Sequence, residues 1–507
     1  MSEPLRENAA VPCRCHTTRR DLLRWSALIA AAPLVACSDR DEPAARATAA
    51  ATTADVDPRT VSPVNLELVT LTETSAVITW YTGVPGTDDG TKRMVPKPAD
   101  GQVSYGTSPS QLTKTAHDEG GPTPYHYVEL TGLEPGQTYY YRAASAGKAA
   151  TPTALELVQG NAAGTAAPAG ADGPFTFTTP QPPPGRHLFS IALCNDLHLG
   201  ETVAGLVGGT SIKGLSQQPG LRPYPEVMAE GLVAEATARG ANYLLAAGDL
   251  SSEAAPADVT RVRTHLDRFG TYRQDYFVAR GNHDRAHAGA AYAGCGTGEW
   301  QGDDCFRDDF FAGSATTYFS HDLNGLHVVG LDTYDKAGNG GDAGGMSAAQ
   351  QSWLAADLKA HRDQPTIVFG HHPLVVEGTP FGGGAGSMLD ATQATGLLAT
   401  YASTPGVFLH HAGHTHRNHR TVSPAAPRVV LQEVCAAKEY PGGFSLLRVH
   451  AGGYALNFYK SRTDLAREWS ERSRQELTGF WPQFSLGAAV SDRNSVASRD
   501  LSGLTPA

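Results

Sequence analysis

Tyr276-Phe277-Val278-Ala279 leads, after one arginine, into Gly281-Asn282-His283-Asp284. The apolar run predicts a buried strand, and the glycine allows the backbone to turn sharply into a loop. Asparagine offers a neutral oxygen ligand, histidine titrates near neutral pH, and aspartate can orient an imidazole. This stretch therefore predicts a strand whose carboxyl end carries reactive side chains.

Four other apolar runs also end in side chains that can bind a metal. These are Asp196 and His198 after residues 188–193, Asp249 after 243–247, His371 after 366–370, and His414 and His416 after 407–409. In open α/β sheets, ligands collect at the carboxyl ends of the strands. We therefore expect these side chains to converge, with Asn282 and His283, on one crevice.

The ligand types indicate which metals such a site would take. Aspartate, histidine and asparagine without a thiolate suit Zn²⁺, Mn²⁺ or Fe and disfavour a structural zinc site of the four-cysteine kind. Two metal ions about 3.5–4 Å apart activate water and neutralise phosphoryl oxygens. Two cations at such a short distance need a carboxylate that bridges them, and Asp249 on a central strand is the natural candidate. His414 and His416, on one loop, can serve one metal each.

The periodicity of the chain predicts two folded domains. Between residues 63 and 179, short alternating strands separated by turns are typical of an all-β sandwich. From 187 to 460, strands alternate with amphipathic segments, which predicts an α/β layered domain. Hairpin-like strands at 317–321 and 326–332 indicate that its sheet is mixed. Residues 461–507 are expected to form a C-terminal extension on the surface.

The five motifs of the second domain occur in an order that resembles one known family. Asp-x-His, Gly-Asp, Gly-Asn-His-Asp, His-x-Pro and Gly-His-x-His, spread over residues 187–460, resemble the calcineurin-like metallophosphoesterases. The resemblance implies a layered αββα fold and a dinuclear metal centre. It implies that Asp196, His198, Asp249 and His416 bind one metal, and that Asp249, Asn282, His371 and His414 bind the other. His371 is preferred to His372 because the family ligand lies two residues before Pro373.

The resemblance also implies an activity, the hydrolysis of phosphate esters by a metal-activated water or hydroxide. His283 would contact the phosphate and help to protonate the leaving group, with Asp284 orienting its ring. One alternative is a phosphodiesterase or nucleotidase acting on extracellular nucleotides or lipid head groups. Another is a non-catalytic surface binding protein on a degenerate scaffold.

The first domain resembles a fibronectin type III-like domain of the kind that precedes the catalytic domain in purple acid phosphatases. Residues 103–109 and 130–136 carry this resemblance. The metal site departs from the purple enzymes, because Ser252 stands where they have the tyrosine that ligates ferric iron. They also have glycine where this chain has His198. We therefore expect no tyrosinate charge-transfer colour.

The N-terminus predicts export. Arg19-Arg20-Asp21-Leu22-Leu23 and the short apolar run that follows resemble a twin-arginine signal, and Leu34-Val35-Ala36-Cys37 resembles a lipobox. Residues 1–37 would then be a lipoprotein-type signal with Cys37 as the lipid anchor, and 38–62 a flexible linker. Cleavage near Ala36 and secretion is the alternative. The net charge of -11 argues against nucleic-acid binding.

The cysteines agree with an extracytoplasmic protein. Cys295 and Cys305 flank a short Gly- and Asp-rich loop, and in an oxidising compartment they are expected to form a disulfide. A second metal site is the less favoured interpretation. Cys194 and Cys435, at the ends of apolar runs, are expected to be buried and inert.

Overall fold

The computed structural model describes residues 60–152, 171–205, 214–298, 302–336, 341–375, 387–476 and 481–507. The predicted signal at 1–37 with Cys37, and the linker apart from its last three residues, lie outside this set. None of the helices in the described ranges combines the length and the apolar character needed to cross a bilayer.

The N-terminal domain is an antiparallel β-sandwich. Its strands are β1 (Ser62–Leu71), β2 (Ala76–Gly83), β3 (Gln102–Gly106), β4 (Lys114–His117), β5 (Tyr125–Leu130), β6 (Thr138–Ser145), β7 (Lys148–Ala149) and β8 (Phe175–Thr178). One sheet has the order β1-β2-β5 and the other the order β4-β3-β6-β7, with β8 also paired to β6. Alternate residues of β6, such as Tyr139 and Tyr141, are buried in the core between the sheets, as the period of two predicts.

The second domain contains two six-stranded sheets. The first has the order β13-β12-β9-β22-β23-β24, built from β9 (His187–Cys194), β12 (Tyr243–Ala247), β13 (Tyr276–Ala279), β22 (Gly443–His450), β23 (Gly453–Lys460) and β24 (Asn494–Ser498). The second has the order β16-β17-β18-β19-β21-β20, built from β16 (Phe319–Leu323), β17 (Leu326–Gly330), β18 (Thr366–Phe369), β19 (Val407–Ala412), β20 (His419–Thr421) and β21 (Val430–Glu433). Two short ladders pair β10 (Val203–Ala204) with β11 (Leu215–Ser216), and β14 (Thr297–Gly298) with β15 (Gly302–Asp303).

The described ranges contain seven α-helices, of which the first five in chain order cover the outer faces of the two sheets. They are α1 (Tyr224–Ala238), α2 (Pro256–Leu266), α3 (Cys305–Phe310), α4 (Ala348–Ala360), α5 (Ala391–Ser403), α6 (Asp464–Ser473) and α7 (Trp481–Ser485). Side chains of α1–α3 pack with the first sheet, and those of α4 and α5 with the second. Ile191, Phe277 and Phe369 lie in the core shared by the two sheets. The predicted β-sandwich followed by a layered α/β domain with mixed sheets is thereby confirmed.

Strand direction explains where the polar residues meet. β9, β12 and β13 are parallel neighbours in the first sheet, and β18 and β19 are parallel neighbours in the second. Their carboxyl ends carry all five sequence motifs, so each sheet presents its polar residues at one edge.

The C-terminal segment contributes to both domains rather than lying only on the surface. β24 forms the edge strand of the first sheet, and α6 packs against α1. The buried Arg493 guanidinium donates to the backbone oxygens of Leu68 and Val69 in the sandwich, at 2.5 and 3.0 Å. Residues after 460 therefore hold the sandwich against the α/β domain.

A buried charge cluster lies at the same interface. The Glu67 carboxylate of the sandwich is 2.6 Å from Lys460 Nζ and 2.8 Å from Arg474 Nη2, and it accepts a hydrogen bond from the Tyr440 hydroxyl. Burial opposes the charge on Glu67, but Lys460 and Arg474 lower its pKa to about 2. The sandwich is thus docked through an ionised glutamate.

Candidate metal centre

The strand ends adopt an unusual backbone conformation where the candidate ligands stand. Asp196, His198, Asp249, His414 and His416 all have φ between 45° and 68°, in the left-handed region. Residues other than glycine rarely adopt this region, and clusters of such residues are typical of functional sites. The backbone turns there aim side chains from different strands at one space.

Gly281 makes the close approach of two loops possible. A Cβ atom at this position would lie 2.1 Å from Asp249 Oδ1 and 2.3 Å from the Asp249 backbone nitrogen. Any side chain would therefore push the Asn282 loop away from Asp249. This is the physical reason for glycine at the start of the Gly-Asn-His-Asp motif.

One group of candidate ligands surrounds Asp196. His416 Nε2 lies 3.2 Å and His198 Nε2 lies 3.6 Å from Asp196 Oδ1. The three side chains offer ligand atoms that all lie within 4.8 Å of one another. This spacing suits three protein ligands of one metal ion.

A second group surrounds Asp249. His371 Nε2 lies 3.0 Å from Asp249 Oδ2, and His414 Nδ1 lies 3.2 Å from His371 Nε2. The same Asp249 oxygen is 3.7 Å from His198 Nε2 of the first group. Asp249 thus lies between the two groups, where a bridging carboxylate is required. Asn282 is buried between Gly281 and His283, which both approach Asp249, and its Nδ2 lies 3.5 Å from Asp342 Oδ1.

Unsatisfied polar atoms test whether this space fits metal ions. Asp196 Oδ1, His198 Nε2 and Asn282 Oδ1 are buried without a partner in hydrogen-bonding geometry among the described residues. Buried polar atoms are normally satisfied, so a cluster of exceptions calls for a ligand. The three atoms are a carboxylate oxygen, an imidazole nitrogen and an amide oxygen, and atoms of these kinds coordinate borderline divalent metals. The residues present therefore fit a dinuclear centre.

The electrostatics of the site keep its carboxylates ionised. Burial disfavours the charge of Asp196, but the imidazoles of His416 and His371 hold its pKa well below the usual range. The pKa of Asp249 is likewise lowered, against burial, mainly by His371 and His283. Both groups are thus available as anionic ligands at neutral pH.

His283 lies beside both groups, at the exposed side of the site. Its Nδ1 is 2.7 Å from the Ser252 backbone oxygen, and its ring centroid is 4.6 Å from that of His198. Its backbone N–H donates to Asp249 Oδ1 at 2.8 Å. One third of the side chain is exposed, so the ring is accessible to a substrate.

The expectation that Asp284 orients His283 is wrong. The buried Asp284 carboxylate instead accepts hydrogen bonds from the backbone N–H groups of Leu250, Ser251 and Gly281 and from the Ser251 hydroxyl. The backbone oxygen of Ser252 takes over the orientation of the His283 ring. Asp284 therefore braces the loop that follows Asp249 and does not contact the imidazole.

His371 and His372 have different environments. His371 Nδ1 donates to the Ala247 oxygen at 2.9 Å, which leaves Nε2 to face Asp249. His372 is buried, and its two nitrogens lie 2.8 Å from Thr333 Oγ1 and from the Asp342 backbone oxygen. Although ligand atoms of His371, His372 and His414 lie within 4.8 Å, the geometry favours His371 as the ligand.

Three charged residues next to the site were missed from the sequence. His198 Nδ1 lies 3.2 Å from Glu201 Oε2, and His416 Nδ1 lies 2.6 Å from Glu439 Oε1. Lys438 Nζ lies 2.6 Å from Glu201 and 3.1 Å from Glu439. The sequence does contain one indication of them, because the charged pair Lys438-Glu439 directly follows an apolar run, as the other site residues do.

The predicted disulfide forms at the rim of the site. Cys295 is bonded to Cys305, and the free Cys194 and Cys435 are buried, as expected. Asp304, next to Cys305, caps α3 and accepts a hydrogen bond at 2.8 Å from Arg280, which precedes the Gly-Asn-His-Asp motif. The disulfide loop is thereby connected to the end of β13.

Comparisons with known proteins agree with the motifs. Residues 61–155 match the family model for the purple acid phosphatase N-terminal domain, and residues 189–418 match that for the calcineurin-like phosphoesterases. Both resemblances predicted from the sequence are thereby confirmed. No curated protein matches the sequence.

Several solved structures resemble parts of the chain. A dimetal phosphatase from Danio rerio is 14% identical, with a TM-score of 0.41, over 54% of this chain and 96% of that one. The purple acid phosphatase PPD1 from yellow lupin (Lupinus luteus) seeds is 15% identical, with a TM-score of 0.35, over 79% and 72%. PhoD is 10% identical, with a TM-score of 0.35, over 87% and 88%.

Proposed function

We propose that the calcineurin-like phosphoesterase domain at residues 189–418 hydrolyses phosphate esters with two bound metal ions. The observation that carries this proposal is the convergence of seven candidate ligands from five strand ends on one space with unsatisfied polar atoms. The seven are Asp196, His198, Asp249, Asn282, His371, His414 and His416. The chemistry that two bound ions supply is charge neutralisation at the phosphoryl oxygens and activation of a water molecule.

The protein residues have separate roles in this proposal. Asp196, His198 and His416 would hold one ion, Asn282, His371 and His414 the other, and Asp249 would bridge them. His283 would be the proton donor for the leaving oxygen: its Nδ1–H donates to the Ser252 oxygen, so the proton that passes to the leaving oxygen would come from Nε2 of the imidazolium form. The Ser251 and Leu250 N–H bonds to Asp284 keep the Asp249 loop in place.

We further propose that the protein works outside the cytoplasm, exported by the twin-arginine-like signal and held by a lipid at Cys37. The Cys295–Cys305 disulfide supports this location, because disulfides persist in oxidising compartments.

The test compares a chromogenic phosphate monoester with the matching diester, assayed with Mn²⁺, Zn²⁺ or chelator. Asp249→Ala removes the bridging carboxylate, and Asp363→Ala, at a side chain that is 75% exposed, is the matched control. We expect metal-dependent turnover that Asp249→Ala abolishes and Asp363→Ala retains, and the ratio of the two rates identifies the ester class. A folded protein with no turnover with either metal would contradict the proposal and favour a binding role.

A further inference from the structure

We infer that Glu201, Lys438 and Glu439 form one positioning cluster that strengthens metal binding at only one of the two sites. That site contains Asp196, His198 and His416 (the Asp196 site), and the other contains Asn282, His371 and His414 (the Asn282 site). This inference rests on the proposed function, because it requires that the two sites bind metal.

The cluster fixes the orientation of two candidate ligands. The carboxylates of Glu201 and Glu439 each face the Nδ1 atom of one imidazole, that of His198 and of His416 respectively. His416 Nδ1 donates a hydrogen bond to Glu439, whereas His198 Nδ1 lies 3.2 Å from Glu201 outside hydrogen-bonding geometry. The Nε2 atom of each ring faces Asp196, at 3.6 Å for His198 and 3.2 Å for His416. Carboxylates that accept from a ligating histidine hold its ring and make the nitrogen that faces the metal more basic.

Lys438 connects the two carboxylates. Its side chain is 4% exposed, and that of Glu439 is 1% exposed. The Glu201 side chain is 15% exposed, and two mostly buried carboxylates that contact the same ammonium group would repel each other without that cation. The Lys438 ammonium group therefore lies where it offsets the negative charge of both glutamates beside the two histidines.

Neighbouring elements hold the cluster rigidly. The backbone N–H groups of Ala437 and Lys438 donate to the oxygens of Asn195 and Asp196, at 3.1 and 3.2 Å. The Trp469 indole N–H donates to the Lys438 oxygen at 2.8 Å, and the Tyr224 hydroxyl donates to Glu201. The Tyr224 and Trp469 rings stack with centroids 4.1 Å apart. Helices α1 and α6 thus support the cluster from outside the metal site.

The second site has a different support. His371 Nδ1 donates to the neutral backbone oxygen of Ala247. This contact orients the ring but places no negative charge behind it. Losing the charge of Glu439 should therefore affect only the site that contains His416.

The test measures metal affinity rather than activity. Metal-free protein is titrated with Co²⁺ alone, and calorimetry and visible absorption report two binding events. Asn282→Ala assigns the event that belongs to its own site. Glu439→Gln keeps an oxygen acceptor while removing the charge, Glu201→Gln does the same at His198, and Glu468→Gln is the control, since Glu468 pairs with Arg472 away from the site.

We expect Glu439→Gln to weaken the Asp196-site event by about 10–100-fold and to leave the Asn282-dependent event within about twofold. Glu201→Gln should weaken the same binding event. The fold-loss of metal affinity in the double variant should be smaller than the product of the two single fold-losses, because Lys438 couples the two glutamates. Unchanged affinity in both single variants, equal weakening of both events, or independent effects in the double variant would each overturn the inference. Wild-type protein that binds no Co²⁺ would instead contradict the proposed function.

Discussion

Replacing Glu67 with glutamine should destabilise the protein in a way that depends on pH. Glu67 is buried between the two domains and paired with Lys460 and Arg474. Its pKa falls from an ordinary 4.5 to about 2. At about 1.4 kcal/mol per pKa unit, this difference stabilises the folded state by about 3 kcal/mol at pH 7.

The sign follows from the lowered pKa. A carboxyl group that is more acidic when folded stabilises the protein fully above its unfolded pKa of 4.5. That contribution is lost as the pH falls towards 2. At pH 3 the unfolded glutamate is mostly protonated while the folded one is mostly ionised, and about 1.4 kcal/mol remains. The difference between wild type and Glu67→Gln should therefore shrink by about half between pH 7 and pH 3.

Urea unfolding at pH 7, 5 and 3, followed by circular dichroism, measures this difference. Glu468→Gln is the control, since its side chain is one third exposed and its pair with Arg472 should contribute at most about 1 kcal/mol. A Glu67→Gln effect below about 1 kcal/mol at pH 7, or one that stays constant down to pH 3, would refute the assignment of an ionised, stabilising glutamate at the interface.

Three further predictions concern the site and its rim. His283→Ala should lower kcat/KM by about 10²–10⁴-fold for esters with alkyl leaving groups, but much less for a nitrophenyl ester, whose leaving group needs no proton. Equal losses for both esters would exclude a proton-donor role, and His287→Ala on the same loop is the control. Cys295→Ser should destabilise the protein by about 3 kcal/mol, because the disulfide closes a loop with a sequence separation of 10; unchanged chemical unfolding would contradict this. Iron-loaded protein should show no tyrosinate band, because Ser252 replaces the ligating tyrosine; a purple-range absorption maximum would disprove the expectation.

Local sequence was sufficient for much of the site. Each apolar run ends within a few residues of its motif, so the strands and the side chains at their ends are encoded together. The structure places Asp196 beside His416 and Asp249 beside His371, although 220 and 122 residues separate them in the chain. Within each sheet, parallel strands bring their carboxyl ends to one edge, and the packing of the two sheets against each other brings the two edges together.

Contacts made by folding at long range could not be predicted in this way. Asp284 follows His283 directly, yet its carboxylate turns towards the Asp249 loop, where several N–H groups need an acceptor. Glu439 reaches His416 only because β21 returns the chain to the site. The edge strand β24 was missed because a short polar strand at a sheet edge has no apolar run to mark it.

The left-handed backbone conformations of five candidate ligands lower the stability of the fold but direct the side chains into the metal site. The five are Asp196, His198, Asp249, His414 and His416. Glycine would adopt each of these conformations more easily, by about 1 kcal/mol per position. Laboratory evolution that rewards heat resistance alone would place no selection on the five ligand side chains, so substitutions that relax the backbone there could accumulate and the metal centre could be lost. Evolution with retained metal binding as a second criterion would keep all five side chains, so the two libraries should diverge first at the ends of β9, β12 and β19.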